Sequence, residues 1–578
     1  MPTKAELPRP RSTRLVDFSR QIFTGRGLMV AGLAVLALLP VLYVLHRTAP
    51  GRINIVYWDE FETALNFVIK LNQGTTAGDF FRDLFALNNE HRMVTSRLMF
   101  AVSYWLTGTV DFSAIGTIGI ASIIALGALL VATAGTFVRA ATVGVIFSFL
   151  VFQLEHYENF LWSGSSIDHF QVVLLAAIAI VAVNRGTGAA LWAGAIVATL
   201  ATFTLAHGIV VWPVGAAMLW VAGRKAHLIR WSAVGGAAIG AFLLGFHVNS
   251  AERFAGVSLE GALKVGHYWL AMLGALPAFG DKIWSPALGA VLLVLLAGLV
   301  WRGAWHREPI ALPLAAFAVG AAALIAIGRA ELAAGVVFSR YYVLSAVAWT
   351  LTLTMLLCRA SDSPRPWRPL VLALPALAAF NVYANLSFQD ETDSWIECRD
   401  HAVARFKQHG VDGRGPFKLH PDPARATDLL GRAEALGVYR MGPISRRVPF
   451  PKDATPSSRV AYFVDEMTVN PRSAFVTGWA AIPGQTSDRG QVYLILKSAT
   501  ETNLFTTITI TRPDVAKATG RPDWTLAGFT FVRRRDRLPT GEFQIGFLIE
   551  DEGKREFVMT AHRVTLVGHG EAHLATGE

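Results

Sequence analysis

Cysteine is nearly missing from this chain: its 578 residues include two, Cys358 and Cys398. One closes a hydrophobic run and the other lies in a polar stretch. Neither has metal-ligand spacing, so no disulfide framework or thiolate site is read from them. Charge is also scarce, at 16% of residues. Residues 28–45, 112–137, 170–183 and 311–328 carry no charged side chain at all. Soluble cores rarely need such runs, whereas a bilayer requires about 20 apolar residues per spanning helix. No small-x-small cleavage site follows 28–45, so that run reads as a retained first span rather than a signal peptide. No nucleic-acid motif accompanies the formal charge of +10. Many of the basic residues cluster at one set of loop ends, as orientation signals do, and nucleic acid is excluded as a partner. No internal repeat of the kind common in transporters is visible.

What is present is apolar: 53% of residues are hydrophobic. The runs predict about eleven transmembrane helices, at 28–45, 112–137, 141–154, 170–183, 190–205, 209–221, 231–246, 286–300, 311–328, 341–357 and 369–382. Basic residues are retained on the cytoplasmic side. The N-terminal segment 1–27, with Lys4, Arg9, Arg11, Arg14, Arg20 and Arg26, is therefore expected inside. Arg139, Arg185, Arg224, Arg302, Arg307 and Arg359 mark later inner ends, while Arg253, Lys264 and Lys282 in a long outer loop run against the rule. Residues 93–106, with Arg97 as their single charge, read as an interfacial helix. The stretch 261–278 is either re-entrant or flat on the surface. This expectation makes the chain a multi-pass protein of a bacterial inner membrane, with a membrane domain at 28–386, a large outer loop at 47–111 and a periplasmic C-terminus.

Polar side chains are costly in a membrane, so their placement guides the functional reading. They collect in the loops expected outside. The first loop carries Tyr57-Trp58-Asp59-Glu60, then a short helix at 76–87, then Asn88-Asn89-Glu90-His91-Arg92. A carboxylate there can serve as a general base or hold a divalent cation, and His91 and Arg92 can bind phosphate. The plainer reading is a solvated interfacial loop. The second loop offers Glu155, His156, Tyr157, Glu158, Asn159, Trp162, Asp168 and His169 without lysine or arginine. Such a mix suits sugar hydroxyls and ring faces, but an aromatic interface belt fits it as well. His207 ends a span, and His247, His267 and Tyr268 lie in or beside the long outer loop. Arg329, Glu331 and Arg340, followed by Tyr341-Tyr342, form the strongest late cluster. Arginines at outer helix ends need an anionic partner: a lipid phosphate, Glu331, another outer-loop carboxylate, or the headgroups reached by snorkelling.

With its cytoplasmic N-terminus, its span count and its Trp58-Asp59-Glu60 motif in a large first outer loop ahead of interfacial helices, the layout resembles the GT-C class of membrane glycosyltransferases. The likeness covers roughly 28–386. The WDE, NEHR and EN-x-x-W patterns are also similar to those of a group of bacterial membrane proteins, a likeness that supplies no substrate. The GT-C resemblance implies a sugar donor on polyprenyl phosphate, transfer with inversion on the outer face, and an envelope glycan, lipid or protein as acceptor. It assigns Asp59 as catalytic base or as the group that orients the acceptor hydroxyl, with Glu60 supporting it or helping to bind a divalent cation (Mg2+ or Mn2+), which some members use. Arg329 and Arg340 would hold the donor phosphate, with His91, Arg92 and His207 as further contacts. Glu90, Glu158, Asn159, Trp162 and Asp168 would line the sugar or acceptor site. A polytopic lipid or glycolipid flippase is the alternative.

Beyond residue 386 charges and prolines return. Residues 387–458 read as a mixed region with helices at 395–409 and 423–436 and a proline-containing linker at 448–458. Residues 459–570 carry short branched and aromatic runs at even spacing. They predict an antiparallel β-sandwich of seven or eight strands. In it Trp479 is either core or a sugar platform, and Arg512 and Asp514 read as a local turn pair.

Overall fold

The computed structural model describes residues 25–246, 258–331, 336–360, 367–409, 418–442, 445, 447–469, 473–485, 491–535, 538–551 and 554–566. His247, Arg253 and the basic residues before 25 lie outside them. The described chain forms two compact units. One holds 25–52, 76–99 and 114–392, and the other 53–75, 100–113 and 393–566.

The first unit is helical. Its apolar helices are α1 (Gly25–Thr48), α2 (Phe112–Thr133), α3 (Phe137–Val151), α4 (Gln171–Arg185), α5 (Gly188–Thr204), α6 (Val211–Val221), α7 (Lys225–Leu243), α8 (Leu259–Gly274), α9 (Trp284–Trp301), α10 (Ala311–Arg329), α11 (Tyr342–Ala360) and α12 (Arg368–Ser387). Every run expected to span is helical, because an apolar run removed from water must satisfy its backbone within itself. Among the described residues eight helices are long and apolar enough to cross a membrane, while Phe137–Val151, Gly188–Thr204 and Ala206–Val221 are shorter. Together they make this a multi-pass membrane protein. Outward-facing apolar side chains agree, with Leu42 59%, Trp220 75% and Trp301 92% exposed. A soluble protein would not leave so many uncovered.

Local chemistry sets several helix ends. Thr136 caps α3, Thr187 caps α5 and Ser258 caps α8, each side chain accepting a backbone N–H. The stretch read as either re-entrant or flat on the surface is largely α8, packed against α9. A Cβ on Gly274 would lie 1.9 Å from the Ser285 carbonyl, and one on Gly289 would lie 2.0 Å from that of Leu270. Two glycines thus allow backbone contact that no other residue permits.

The second unit contains helices Gln389–His409 and Pro423–Ala435, close to their expected positions. Residues 53–75 and 100–113, from the two ends of the first loop, belong to it. Tyr439 donates to the Asn54 carbonyl at 3.0 Å, and Arg425 pairs with Glu62 at 2.7 Å. The Asn54 side chain accepts from the Phe112 amide at 2.8 Å. The C-terminal part has two sheets, ordered β1-β6-β5-β9-β10-β2 and β3-β4-β8-β7. Here β1 is Arg447–Val448, β2 Thr455–Pro456, β3 Ala461–Val469, β4 Ser473–Ala481, β5 Gln491–Lys497, β6 Thr502–Thr506, β7 Ile508–Ile510, β8 Gly528–Arg534, β9 Gly541–Asp551 and β10 Lys554–Leu566. Leu494, Phe505 and Phe547 of one sheet share a core with Val476, Phe529 and Phe531 of the other. Among the described residues, 459–570 hold eight strands, β3 to β10, within the expected seven or eight, and two further strands, β1 and β2, lie before them, β2 pairing with β10 in parallel. Both β1 and β2 are two-residue edge strands too short to show a period. Trp479 is partly buried beside Trp524, their ring centroids 5.8 Å apart, and Arg512 pairs with Asp514 at 2.7 Å.

Candidate functional site

In the helical unit, residues distant in sequence converge at one end of the bundle. The segment Asn88–Arg92 turns back on itself. The Asn88 amide donates to the His91 carbonyl at 2.7 Å, and the His91 amide returns the bond at 3.0 Å. Asn89 and Met93 sit at φ of 53° and 49°, a region non-glycine residues avoid. The turn projects Glu90 onto Arg329, with which it forms an ion pair. His91 Nδ1 accepts the Ala206 amide at 3.2 Å, which holds the imidazole next to the His207 turn. That turn needs its glycine, since a Cβ on Gly208 would lie 2.0 Å from the Ala201 carbonyl.

Arg329 also donates from Nε to the Tyr341 hydroxyl at 3.3 Å. Arg340 reaches both Glu158 oxygens at 3.4 Å. Its guanidinium lies 4.6 Å from the Phe338 ring centroid, 5.1 Å from that of Tyr341 and 5.7 Å from that of Trp162. His169 stacks with His207 at 6.1 Å and meets Tyr341 edge-on at 5.4 Å. His169 interacts electrostatically with Arg329, Arg340, His91 and His207. The Nε2 of His207 is buried without a hydrogen-bond partner among the described residues. Two arginines, each paired with a glutamate, thus lie near three imidazoles.

The sequence listed Glu331 among possible arginine partners. The structure instead gives Arg329 to Glu90 and Arg340 to Glu158, while Glu331 meets Lys264 at 3.3 Å. Glu158 accepts in addition from Ser339 Oγ at 2.9 Å and the Arg340 amide at 3.2 Å. Asn159 donates to the Arg340 carbonyl at 2.9 Å and accepts from Ser165 at 2.6 Å. These two side chains grip the arginine loop. Trp162 is buried, 7% exposed, so it lies beneath Arg340 rather than as an open sugar platform. Asp168 is buried and accepts from Ser96. Arg92 spends its donors on the carbonyls of Phe242, Phe85 and Leu244, and Arg97 does so on those of Leu84, Ala86 and Arg92. Both tie the loop together, so Arg92 is set apart from the cluster it was expected to join. His169 and Tyr341 belong to the cluster although the sequence, which drew attention to both, gave neither a role at the site. Their signal was position, next to Asp168 and Arg340.

A separate buried patch lies at 153–156. Glu155 is fully buried, and among the described residues neither its carboxylate oxygens nor the Gln153 Oε1 has a hydrogen-bond partner. Burial pushes the Glu155 carboxyl well above its ordinary range. Burial likewise lowers His156 to about 4, against a small opposing effect of the Val151 carbonyl. Its ring nitrogens close no hydrogen bond of good geometry.

The acidic motif lies in the second unit. Trp58 sits at φ 54°, and its amide donates to the Leu419 carbonyl at 2.7 Å. Glu60 is buried, and its Oε2 accepts the Tyr57 amide at 2.8 Å, closing the turn on itself. Asp59 is half-buried, its carbonyl starting the π-helical turn Phe61–Asn66. A second π turn, Ser166–Phe170, carries Asp168 and His169. Such turns frequently mark functional sites. Among the described residues no three His, Cys, Asp or Glu side chains group to hold a metal. With Glu60 committed to the backbone, the pair does not fit a resident divalent ion.

Comparison of the chain with known protein families, with curated proteins and with solved structures finds no match.

Proposed function

We propose that this protein is a membrane glycosyltransferase of the GT-C kind, with eleven spans. It would move a sugar from a polyprenyl-phosphate donor to an envelope glycan, lipid or protein acceptor on the periplasmic face. The observation that supports this is the convergence of Arg329, Arg340, His91, His169 and His207. Cationic and imidazole donors gathered on rigid helix ends suit a phosphate that gains charge as it departs. In the proposed reaction the acceptor hydroxyl loses its proton to a carboxylate and its oxygen bonds to the anomeric carbon. The carbon–oxygen bond to phosphate breaks, and its electron pair stays on the polyprenyl phosphate. Arg329 and Arg340 stabilise that charge. The base role of Asp59 rests on the resemblance, and Glu60 is read as a positioning residue that shapes the turn. No metal enters the scheme.

The deciding experiment measures transfer of labelled sugar from polyprenyl-phosphate donors by purified wild type, Asp59→Asn and Arg329→Gln. Loss of turnover in Asp59→Asn with donor binding intact supports the base assignment. Removing one charge-stabilising donor costs about 100- to 1,000-fold in kcat, the loss expected of Arg329→Gln. Full activity in Arg329→Gln would refute the role of the cluster. A lipid or glycolipid transporter is the second reading, favoured by the fully buried Glu155, whose carboxylate oxygens have no hydrogen-bond partner among the described residues. Donor binding without turnover would select it.

A further inference from the structure

A cavity of about 150 Å3 opens among the C-terminal end of α2, the N-terminal ends of α3 and α10, and the later part of α11. These ends belong to the side that the charge pattern assigns inward. Leu130, Val143, Ile310 and Leu351 form its apolar wall, and Arg139, Arg307 and Glu308 its polar one. Arg139 donates from Nη2 to Glu308, whose side chain is 5% exposed. No other side-chain bond of Arg139 is found among the described residues, which leaves Nε and Nη1 free. Arg307 is exposed and has no partner among them.

The two arginines and one glutamate leave this cavity a net charge of +1, matching the single negative charge of a phosphodiester. Free arginine donors pair with two phosphate oxygens, and the apolar wall beside them suits a glycerol neck and the first methylenes of an acyl chain. A free phosphate would gain nothing from that wall. A second cavity of about 150 Å3, bordered by Arg224, is differently equipped, because Arg224 donates to the Val183 carbonyl at 3.3 Å and covers Gly186.

We propose that the cavity between α2, α3, α10 and α11 is a binding site for the headgroup of an anionic phospholipid, with Arg307 and Arg139 as its phosphate ligands. The site is independent of the sugar-transfer reading.

The test uses purified full-length protein offered equal amounts of phosphatidylglycerol and phosphatidylcholine, washed in detergent and weighed by native mass spectrometry. Phosphatidylglycerol should be retained in preference, and Arg307→Gln should lower that retention about fivefold, as expected for one basic side chain at a lipid surface. Because Arg307 is exposed, its replacement leaves no buried group unpaired. Arg230→Gln, an exposed arginine outside the cavity, should change nothing. Equal retention of the two lipids, or an unchanged Arg307→Gln protein, overturns the proposal. An equal loss in Arg230→Gln would reduce it to diffuse surface attraction and also overturns it. Displacement of the lipid by millimolar inorganic phosphate would assign the cavity to the free anion instead.

Discussion

Replacing Glu158 tests whether the arginine loop is held from below. Its carboxylate accepts from Ser339 Oγ at 2.9 Å, from the Arg340 amide at 3.2 Å and from the Arg340 guanidinium at 3.4 Å. Breaking a fully buried ion pair by removing one partner costs about 3–5 kcal/mol. Here the two side chains are 21% and 14% exposed, so water recovers part of the loss. Glu158→Ala should therefore cost about 2 kcal/mol. Glu158→Gln keeps an oxygen for Ser339 and the Arg340 amide and loses only the charge, about 0.5–1 kcal/mol. For a unit of this size those costs correspond to falls in Tm of about 3 °C and about 1 °C. Thermal unfolding in detergent, followed by tryptophan fluorescence, reads both. Equal shifts for the two variants, or a shift below about 1 °C for Glu158→Ala, would show that the loop does not depend on Glu158.

Glu155 should make stability depend on pH. Its folded carboxyl titrates above the ordinary glutamate value, so the folded protein keeps a proton that the unfolded chain releases. That contribution is complete below the ordinary value and is lost as pH rises toward the folded one, by up to about 1.4 kcal/mol per pH unit. Melting curves from pH 5 to 8 should show this slope in wild type and not in Glu155→Gln; parallel curves would mean that Glu155 is not held protonated. Gly274→Ala places a methyl 1.9 Å from the Ser285 carbonyl and should cost at least about 3 kcal/mol or prevent folding. Gly298→Ala, with nothing within 4 Å of the new methyl, should be neutral or stabilising by up to about 1 kcal/mol. Similar yields and melting points for these two variants would contradict the packing of α8 on α9. Arg92→Lys keeps the charge but not the fork that serves three carbonyls, and should lower thermal stability while leaving donor affinity unchanged. Weakened donor binding at unchanged stability would return Arg92 to the phosphate site.

The sequence by itself determined the helices, because a run without charge in a membrane has no other way to satisfy its amides. The same logic made Arg329 and Arg340 conspicuous, as charges at helix ends that required an anion. It also indicated a strand-rich region from 459 onward, where branched and aromatic runs and turns are local signals. Tertiary structure alone decided the partners. Arg329 meets Glu90 from a loop more than two hundred residues earlier, and Arg340 meets Glu158 rather than its neighbour Glu331. Such pairings depend on which helix ends are adjacent, and no local pattern encodes that. Arg92 looked like a phosphate ligand because its charge is visible in the sequence, whereas the carbonyls that occupy it belong to Phe85 and to the end of α7. Trp162 looked like a sugar platform until Arg340 was found above it. The residue type is local, but whether it remains available for a ligand depends on what the rest of the fold places against it.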